Sequence, residues 1–303
     1  MSHVLLAGAS GFLGTHLREA LAGRGHTVTA LVRRPVRGPG ESLWDPYTGT
    51  LDREVIETAD VVVNLAGAPT LGNPHSQSWA RALRESRVTT TRVLAEAIAA
   101  SDRHPAFLAG NGISYYGDRR DEGDPVLDEQ ADSRGDALLT SVTREWQAAA
   151  QPAAVAGSRL CVLRTAPVMD RRSEPLKQLR LLFLAGLGGR LGDGQQRMPM
   201  ISLRDWVGAV VHLAEHDDAS GPFNLCCSRT PTNAEFTDAL AAELHRPKFA
   251  TVPRFALQLG AGRMAPELLG SLNVVPAALE KSGYVFHDPD VEAVLKAGLS
   301  EAD

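Results

Sequence analysis

The chain has 303 residues, of which 44% are hydrophobic and 22% are charged, and its formal net charge is −5. Length and composition are typical of one large α/β unit or of one domain with a smaller partner, and the acidic balance predicts no nucleic-acid partner. We find no signal-peptide pattern, and no segment approaches the roughly 18 apolar residues of a membrane span. We therefore expect a cytoplasmic protein with no membrane partner.

Apolar periodicity predicts the elements of the first half of the chain. Short apolar or β-branched runs predict strands at residues 3–7, 27–32 and 60–65, and similar runs occupy 105–109 and 159–163. Helices are expected at 12–25 and 79–100. Strands that alternate with helices predict a doubly wound parallel sheet with helices on both faces.

The second half is less regular. Helices are expected at 175–184, 203–215 and 232–244, the last with Thr232 or Asn233 as its N-cap, and a strand at 222–226 returns to the sheet. From about Pro247, short helical runs alternate with proline and glycine, which predicts a small, mostly helical C-terminal subdomain on the open edge of the sheet. We expect residues 1–165 plus about 201–227 to form a Rossmann domain, and about 166–200 plus 228–303 to form a substrate subdomain.

A glycine-rich turn, Gly-Ala-Ser-Gly-Phe-Leu-Gly at residues 8–14, lies between the first strand and the first helix. Gly8 allows a tight turn, Gly11 allows the backbone to approach a pyrophosphate, and Gly14 allows the helix to pack closely on the strand. The free N–H groups at the start of the helix then face the phosphates, which adds Ser10, Phe12 and Leu13 to the predicted site. The alternative is a tight turn that binds no ligand.

The end of the second strand indicates which dinucleotide binds. NAD-binding folds place an acidic residue there to hold the ribose 2′-hydroxyl. This chain has Arg33 and Arg34 instead, whose guanidinium groups match a 2′-phosphate. We therefore predict NADP(H), the alternative being two solvated arginines. Small residues after the third strand, Leu65, Ala66 and Gly67, leave room for the adenosine ribose and the diphosphate.

Several segments together carry a family resemblance. The segments GASGFLG and VNLAG, the YYGD that follows a strand, and GGRLGDGQQRMPMISLRDWV resemble the extended short-chain dehydrogenase/reductases. Together with VPAALEKSGYVFHDPDVEAVL near the C-terminus, they resemble a nucleoside-diphosphate-sugar epimerase-like subgroup with its own small C-terminal domain. The resemblance implies the fold and an NADP(H) cofactor. It also implies that the turn containing Pro167 approaches the nicotinamide.

That family relies on a serine and on a Tyr-x-x-x-Lys pair, and the pair is missing here. Tyrosines occur at 47, 115, 116 and 284 and lysines at 177, 248, 281 and 296, so no lysine follows a tyrosine by four residues. In the corresponding helix, Leu139 or Thr140 takes the tyrosine position and Thr143 or Arg144 takes the lysine position. Thr140 can donate a hydrogen bond, and Arg144 can hold a ribose or a phosphate.

The serine position is also altered, because Asn111 or Gly112 stands there. Asn111 can hydrogen-bond a carbonyl oxygen. Tyr116 matches the tyrosine of the family's YG turn, which is usually not the acid/base, so it is either a substitute acid or a packing residue. The predicted catalytic candidates are thus Asn111, Tyr116, Thr140 and Arg144.

Three other patterns in the sequence say less about function. Cys161, Cys226 and Cys227 are odd in number and have no CxxC spacing, which favours reduced thiols. His212 and His216 lie four residues apart without a third ligand, so we predict no metal site. The acidic segment 118–136 is either a mobile rim over the cleft or a solvated loop.

Two functions follow from the intact turn and the altered pair. The first is an NADP(H)-dependent oxidoreductase or epimerase-like enzyme with an unusual acid/base and an unknown small-molecule substrate. The second is an inactive NADP(H)-sensing regulatory or binding protein, and a scaffold that binds no cofactor is a third alternative. A homodimer is left open.

Overall fold

A computed structural model describes residues 1–247 and 250–300. Its strands are β1 (His3–Ala7), β2 (Thr27–Val32), β3 (Glu41–Asp45), β4 (Thr50–Leu51), β5 (Val61–Asn64), β6 (Ala106–Gly112), β7 (Leu160–Thr165), β8 (Val168–Met169), β9 (Gly189–Leu191), β10 (Ile201–Ser202), β11 (Gly221–Leu225) and β12 (Ala250–Val252). Its helices are α1 (Phe12–Gly23), α2 (Arg53–Glu57), α3 (Gln77–Ala99), α4 (Leu138–Ala149), α5 (Gln151–Val155), α6 (Glu174–Leu184), α7 (Leu203–Glu215), α8 (Asn233–Glu243), α9 (Arg254–Ala261), α10 (Ala265–Leu269), α11 (Ala277–Lys281) and α12 (Val291–Leu299). Short 3₁₀ helices occupy Ile113–Tyr116, Arg120–Glu122 and Gly262–Met264.

The main sheet has the order β11-β7-β6-β5-β1-β2-β3-β4. Every neighbouring pair is parallel except β3 and β4. The chain runs outward from β1 through β2 and β3, then returns to β5 on the other side of β1, so the strand order reverses between β1 and β5. The predicted doubly wound parallel sheet is confirmed.

Side chains of the central strands alternate between two apolar layers, because successive residues of a strand point to opposite faces. Val4 and Leu6 of β1 pack with Leu17 of α1 and Trp206 of α7 on one face. Leu5 and Ala7 pack with α3 on the other face, where Ile98 is buried. Burial on both faces explains why β1 is a continuous apolar run.

Several boundaries agree with the sequence and others differ. Helix α7 was predicted at its observed bounds, and α8 begins after Thr232, whose side chain forms a capping box with Glu235. The predicted strand at 222–226 is β11, which pairs with β7 at the edge of the sheet. Helix α1 ends two residues earlier than expected, at Gly23, since Gly25 adopts a left-handed φ of +85°.

A third apolar cluster lies apart from the two layers of the sheet. Leu176 and Phe183 of α6 pack with Phe236 of α8 and Leu295 of α12. The segment before α12 is tied to α7, because the buried Asp205 carboxylate accepts hydrogen bonds from the Asp288 backbone N–H at 2.7 Å and from the Tyr284 hydroxyl at 2.9 Å. Within ranges 1–247 and 250–300, each helix is too short or too polar to cross a bilayer.

Candidate functional site

The glycine turn joins β1 to α1 in a geometry that only small residues permit. Gly8 has a left-handed φ of +83°, and a Cβ there would lie 2.7 Å from the Leu65 carbonyl carbon. A Cβ on Gly14 would lie 2.1 Å from the Gly8 oxygen. Gly8 therefore permits the close approach of β5, and Gly14 permits the close packing of α1 on the turn.

The outer side of the turn is open. A Cβ on Gly11 would meet only the Gly8 oxygen, at 3.3 Å, and both Ser10 and Gly11 are exposed. Helix α1 has no side-chain cap and no acidic residue in its first turn. The amides of Phe12 and Leu13 thus begin a helix whose N-terminus faces solvent without a side-chain acceptor, which suits the phosphates of a dinucleotide.

The two arginines after β2 differ in their contacts. Arg34 donates to Glu41 of β3 through Nη1 at 2.8 Å and through Nη2 at 2.5 Å. This pairing holds the pKa of the Glu41 carboxyl down at about 2. Arg33 is exposed, and among residues 1–247 and 250–300 it has no hydrogen-bond or ion-pair partner. Of the two predicted residues, Arg33 is the one free to bind a 2′-phosphate.

The remaining residues predicted to hold the cofactor lie at the same edge of the sheet. Leu65 and Ala66 are half-buried directly after β5, and Gly67 is exposed. Pro167 is exposed between β7 and β8. The carboxyl ends of parallel strands share one edge, so the fold brings these residues to the same side as the glycine turn.

Tyr116 is fully buried in a polar cluster. Its hydroxyl donates to the Asn224 side-chain oxygen at 2.6 Å and accepts from Arg164 Nη1 at 2.8 Å. Burial raises the pKa of Tyr116 to about 12. Arg164 also stacks on Tyr115, with 3.7 Å from its Cζ to the ring centroid. This geometry gives Tyr116 a structural role and leaves no proton of its phenol directed to a substrate.

Asn111 and Thr140 are also enclosed, with exposed fractions of 4% and 1%. The Asn111 side-chain amide donates to the Thr143 carbonyl at 3.1 Å, and its oxygen accepts from the Gly112 N–H at 2.7 Å. Thr140 faces Gly117, where an added Cβ would lie 3.5 Å from the Thr140 methyl carbon. Both residues therefore join β6, α4 and the turn after Tyr116 rather than lining an open cleft.

Arg144 lies further along α4 and is half-buried. Its Nη1 donates to the Gly135 carbonyl at 2.7 Å and to the Ser133 hydroxyl at 3.5 Å. These contacts fasten the loop before α4 to the helix. The four predicted catalytic residues are thus close in the fold, but their polar groups already bind the protein or are enclosed by it.

The acidic segment 118–136 is fixed at several points. Arg119 is 2% exposed and binds Glu122 and Asp132 at 3.2 Å and 3.0 Å. The Glu129 carboxylate is buried and accepts from the backbone N–H groups of Asn224 and Ala278, each at 3.0 Å. Burial raises the pKa of Glu129. The segment therefore connects β11 to α11 through Glu129, while most of its other acidic side chains are exposed, as a solvated loop predicts.

The loop after β5 depends on a residue that sequence patterns did not single out. Arg87 of α3 donates through Nη1 to the Ala68 carbonyl at 3.0 Å and through Nη2 to the Thr70 hydroxyl at 3.0 Å. Burial lowers the pKa of Arg87 to about 10. Arg87 thereby fixes the loop that contains Gly67.

A second contact that the sequence did not predict joins distant parts of the chain. The Ser114 hydroxyl donates to Glu267 Oε2 at 2.6 Å, across 153 residues of sequence. Ser114 lies in the 3₁₀ helix after β6, and Glu267 lies in α10. No local pattern in the sequence could have paired them.

The two spaced histidines bind other protein groups. His212 Nε2 lies 2.9 Å from the Ser282 hydroxyl, and His216 Nδ1 lies 2.8 Å from the His212 carbonyl. In the described ranges, no cluster of three or more histidine, cysteine or acidic residues has metal-site geometry. All three cysteines are buried and unpaired.

Family models match most of the chain. The model of the NAD dependent epimerase/dehydratase family matches residues 4–226, and a model of a domain of unknown function matches residues 252–297. An epimerase family protein of Mycobacterium leprae is 38% identical over 285 residues, which are 94% of this chain and 91% of that protein.

Solved structures are similar over the same length. The crystal structure of human epimerase family protein SDR39U1 with NADPH has a TM-score of 0.86 and 30% identity, covering 99% of this chain and 100% of that chain. The crystal structure of the nucleoside-diphosphate sugar epimerase from Corynebacterium glutamicum has a TM-score of 0.80 and 32% identity. It covers 98% of this chain and 58% of that chain.

Proposed function

The chain belongs to the NAD dependent epimerase/dehydratase family, as its resemblance to the extended short-chain dehydrogenase/reductases predicted, and on that premise we propose that it binds NADPH and uses it in oxidoreductase or epimerase-like chemistry. The observation that carries the proposal is the glycine turn, where Gly8 and Gly14 have no room for a Cβ and Gly11 is open. The NADPH in the human relative's structure supports the choice of cofactor.

Each part of NADPH has residues that would hold it. The pyrophosphate would bind the turn from Gly8 to Gly14 at the start of α1, and the 2′-phosphate would bind Arg33. Leu65, Ala66 and Gly67 would adjoin the adenosine ribose, and Pro167 would adjoin the nicotinamide. When bound, NADPH supplies a hydride to an electrophilic carbon of the substrate.

The substrate would bind between the sheet and the C-terminal half. We propose residues about 166–200 plus 228–303 as the substrate subdomain, next to a Rossmann domain of 1–165 plus about 201–227. The third apolar cluster supports this division, since Phe183, Phe236 and Leu295 pack together away from the layers of the sheet. The substrate is a small molecule of unassigned identity.

A substitution at Gly11 tests the cofactor proposal. Gly11→Asp places a carboxylate where the phosphates would lie, while the nearest atom to the new Cβ is 3.3 Å away. We expect NADPH binding, followed by nicotinamide fluorescence, to be lost in a folded protein. Gly23→Asp is the matched control, since it lies at the other end of α1 with no atom within 4 Å of the new Cβ. NADPH binding that is equal in both variants would contradict the proposal.

A second candidate function is that of an inactive NADP(H)-sensing regulatory or binding protein. It is favoured because the polar groups of the predicted catalytic residues are hydrogen-bonded within the protein or enclosed by it. Asn111 and Tyr116 are already hydrogen-bonded within the protein, and Thr140 is enclosed. A sensor would bind NADPH and NADP⁺ with different affinities and show no turnover on carbonyl compounds and nucleotide sugars. Turnover that Gly11→Asp abolishes would decide for the enzyme.

The remaining partners and the location stay predictions from the sequence. They are a cytoplasmic location, no nucleic-acid partner and, as an open alternative, a homodimer. Light scattering on the purified protein measures the oligomeric state directly.

A further inference from the structure

The Ser114–Glu267 contact lies on one particular side of the proposed cofactor site. A doubly wound sheet binds a dinucleotide across the point where the strand order reverses, with one nucleotide on each side. Here the reversal lies between β1 and β5, and Arg33 follows β2, so the adenosine half would lie over β2. The nicotinamide half would then lie over β5, β6 and β7, and Ser114 lies in the 3₁₀ helix that follows β6.

We propose that Ser114 and Glu267 are the proton-transfer pair of this site, acting on a carbonyl or hydroxyl oxygen of the substrate. The inference rests on the proposed binding of NADPH. It assigns the missing acid/base to a side chain of the C-terminal half instead of to the helix that carries the family's tyrosine and lysine.

Accessibility separates this pair from the residues expected earlier. Ser114 and Glu267 are both half-buried, whereas Tyr116 is 0% and Thr140 is 1% exposed. The pair is therefore less enclosed than Tyr116 and Thr140. In this proposal the substrate oxygen would hydrogen-bond the Ser114 hydroxyl, which Glu267 of α10 contacts from the C-terminal half.

The surroundings of Glu267 favour its protonated form. Burial raises its pKa, and the nearby carboxylate of Asp118 raises it further, while the hydrogen bond from Ser114 lowers it. Among the described residues, no cation pairs with Glu267. A carboxyl group whose pKa is raised holds its proton more readily than an ordinary glutamate, which suits general acid/base work.

The neighbouring contacts hold α10 in position. Asp118 accepts from the Ser271 backbone N–H at 2.9 Å, and Arg120 Nη2 donates to the Leu269 carbonyl at 2.5 Å. His75 faces Gly262 of the 3₁₀ helix before α10. Asp118 acts on Glu267 directly, whereas Arg120 and His75 contact neighbouring parts of the same segment, and variants at Glu267 itself separate their effects from its own.

In the direction of reduction, the substrate carbonyl gains one proton from the pair and one hydride from the nicotinamide. When Glu267 is protonated, its O–H donates to Ser114 Oγ, and the Ser114 hydroxyl donates to the carbonyl oxygen of the substrate. Glu267 passes its proton to Ser114, and Ser114 passes its own proton to the substrate oxygen. The carbonyl carbon takes the hydride of a reduced nicotinamide, which is thereby oxidised. The product is an alcohol, and the Glu267 carboxylate regains a proton from water.

The test measures binding rather than turnover, since the substrate is unassigned. The oxidised nicotinamide ring carries a positive charge that the reduced ring lacks, so ionised Glu267 would favour NADP⁺ over NADPH. We expect the NADP⁺ affinity, relative to NADPH, to increase about tenfold as the pH rises through the pKa of Glu267. Titrations of the full chain with both dinucleotides from pH 5 to pH 9 measure this ratio.

Three variants make the result specific. Glu267→Gln should flatten the pH dependence, and Glu280→Gln, an exposed glutamate of α11, should leave it unchanged. Ser114→Ala should move the midpoint to higher pH, because it removes the hydrogen bond that lowers the pKa of Glu267. A ratio that does not change with pH, or one that still changes in Glu267→Gln, overturns the proposal. Binding of neither dinucleotide overturns the proposed function as well, so the two failures are distinct.

Discussion

The Tyr116 hydroxyl lies between two polar side chains, donating to Asn224 at 2.6 Å and accepting from Arg164 at 2.8 Å. The phenol of the YG turn, which follows β6, is thus hydrogen-bonded to both β7 and β11 and connects the three strands. Arg164 is 2% exposed, so the hydroxyl also stabilises a charged group inside the protein. The tyrosine is thus part of the scaffold of the site.

Tyr116→Phe tests this structural role. The change leaves Asn224 Oδ1 and one Arg164 N–H without their partner, and an unsatisfied buried group costs about 1–3 kcal/mol. We expect the free energy of unfolding to fall by about that amount and NADPH affinity to stay unchanged. Denaturant unfolding and fluorescence titration measure the two quantities. Tyr115→Phe, which keeps the ring that Arg164 stacks on, is the control, and unchanged stability in Tyr116→Phe would refute the role.

Gly14→Ala tests the packing of α1 on the turn. The new Cβ would lie 2.1 Å from the Gly8 oxygen, so the helix must move away from the phosphate site. We expect weaker NADPH binding and a loss of stability of about 1–3 kcal/mol, typical of overpacking. Gly23→Ala in the same helix meets no atom within 4 Å and should be neutral or slightly stabilising. Equal NADPH affinity in the two variants would contradict the assigned role of Gly14.

The ion pair that joins the end of α7 to the end of α1 predicts a pH effect on stability. The Arg24 side chain, followed by His26, holds the pKa of Glu215 down at about 2. A lowered acidic pKa contributes stability above the unfolded-state value, and this contribution is lost as the pH falls through the folded-state pKa. Since Arg24 is largely exposed, we expect Glu215→Gln to cost about 1 kcal/mol at pH 7.

The difference between Glu215→Gln and the unsubstituted chain should shrink as the pH falls from about 4 to about 2. Urea unfolding at several pH values measures it. Glu85→Gln, at an exposed position in α3, controls for the loss of one negative charge. A difference that is constant over this pH range would show that the pairing with Arg24 is not its source.

The sequence predicts elements whose apolar pattern is strong and misses those without one. Helix α7 has a long apolar face and was predicted at its observed bounds. Strand β3 was missed because its inward residues are Ser42 and Trp44, so the alternation of buried positions is not an alternation of apolar residues. Strands β9 and β12 are three residues each and, within the described part of the chain, form a separate two-stranded sheet, which a local pattern cannot reveal.

The cofactor part of the site is local in sequence, and the rest is not. The roles of Gly8 and Gly14 follow from their place between a strand and a helix. The different contacts of Arg33 and Arg34 cannot be predicted from their positions in the sequence, because Glu41 reaches Arg34 from the neighbouring strand. The Ser114–Glu267 contact depends on the docking of the C-terminal half, which no spacing within either segment encodes.

Binding of NADPH by the glycine turn and Arg33 is tested most directly by a comparison of NADPH with NADH. Fluorescence titrations of the unsubstituted chain, Arg33→Ala and Arg34→Ala measure the preference for the 2′-phosphate. We expect NADPH to bind more tightly than NADH, and Arg33→Ala to reduce that preference about 10- to 100-fold, as the loss of charge-assisted hydrogen bonds predicts. Arg34→Ala should reduce it less, because Arg34 already binds Glu41. Equal binding of the two dinucleotides, or binding of neither, would contradict the claim.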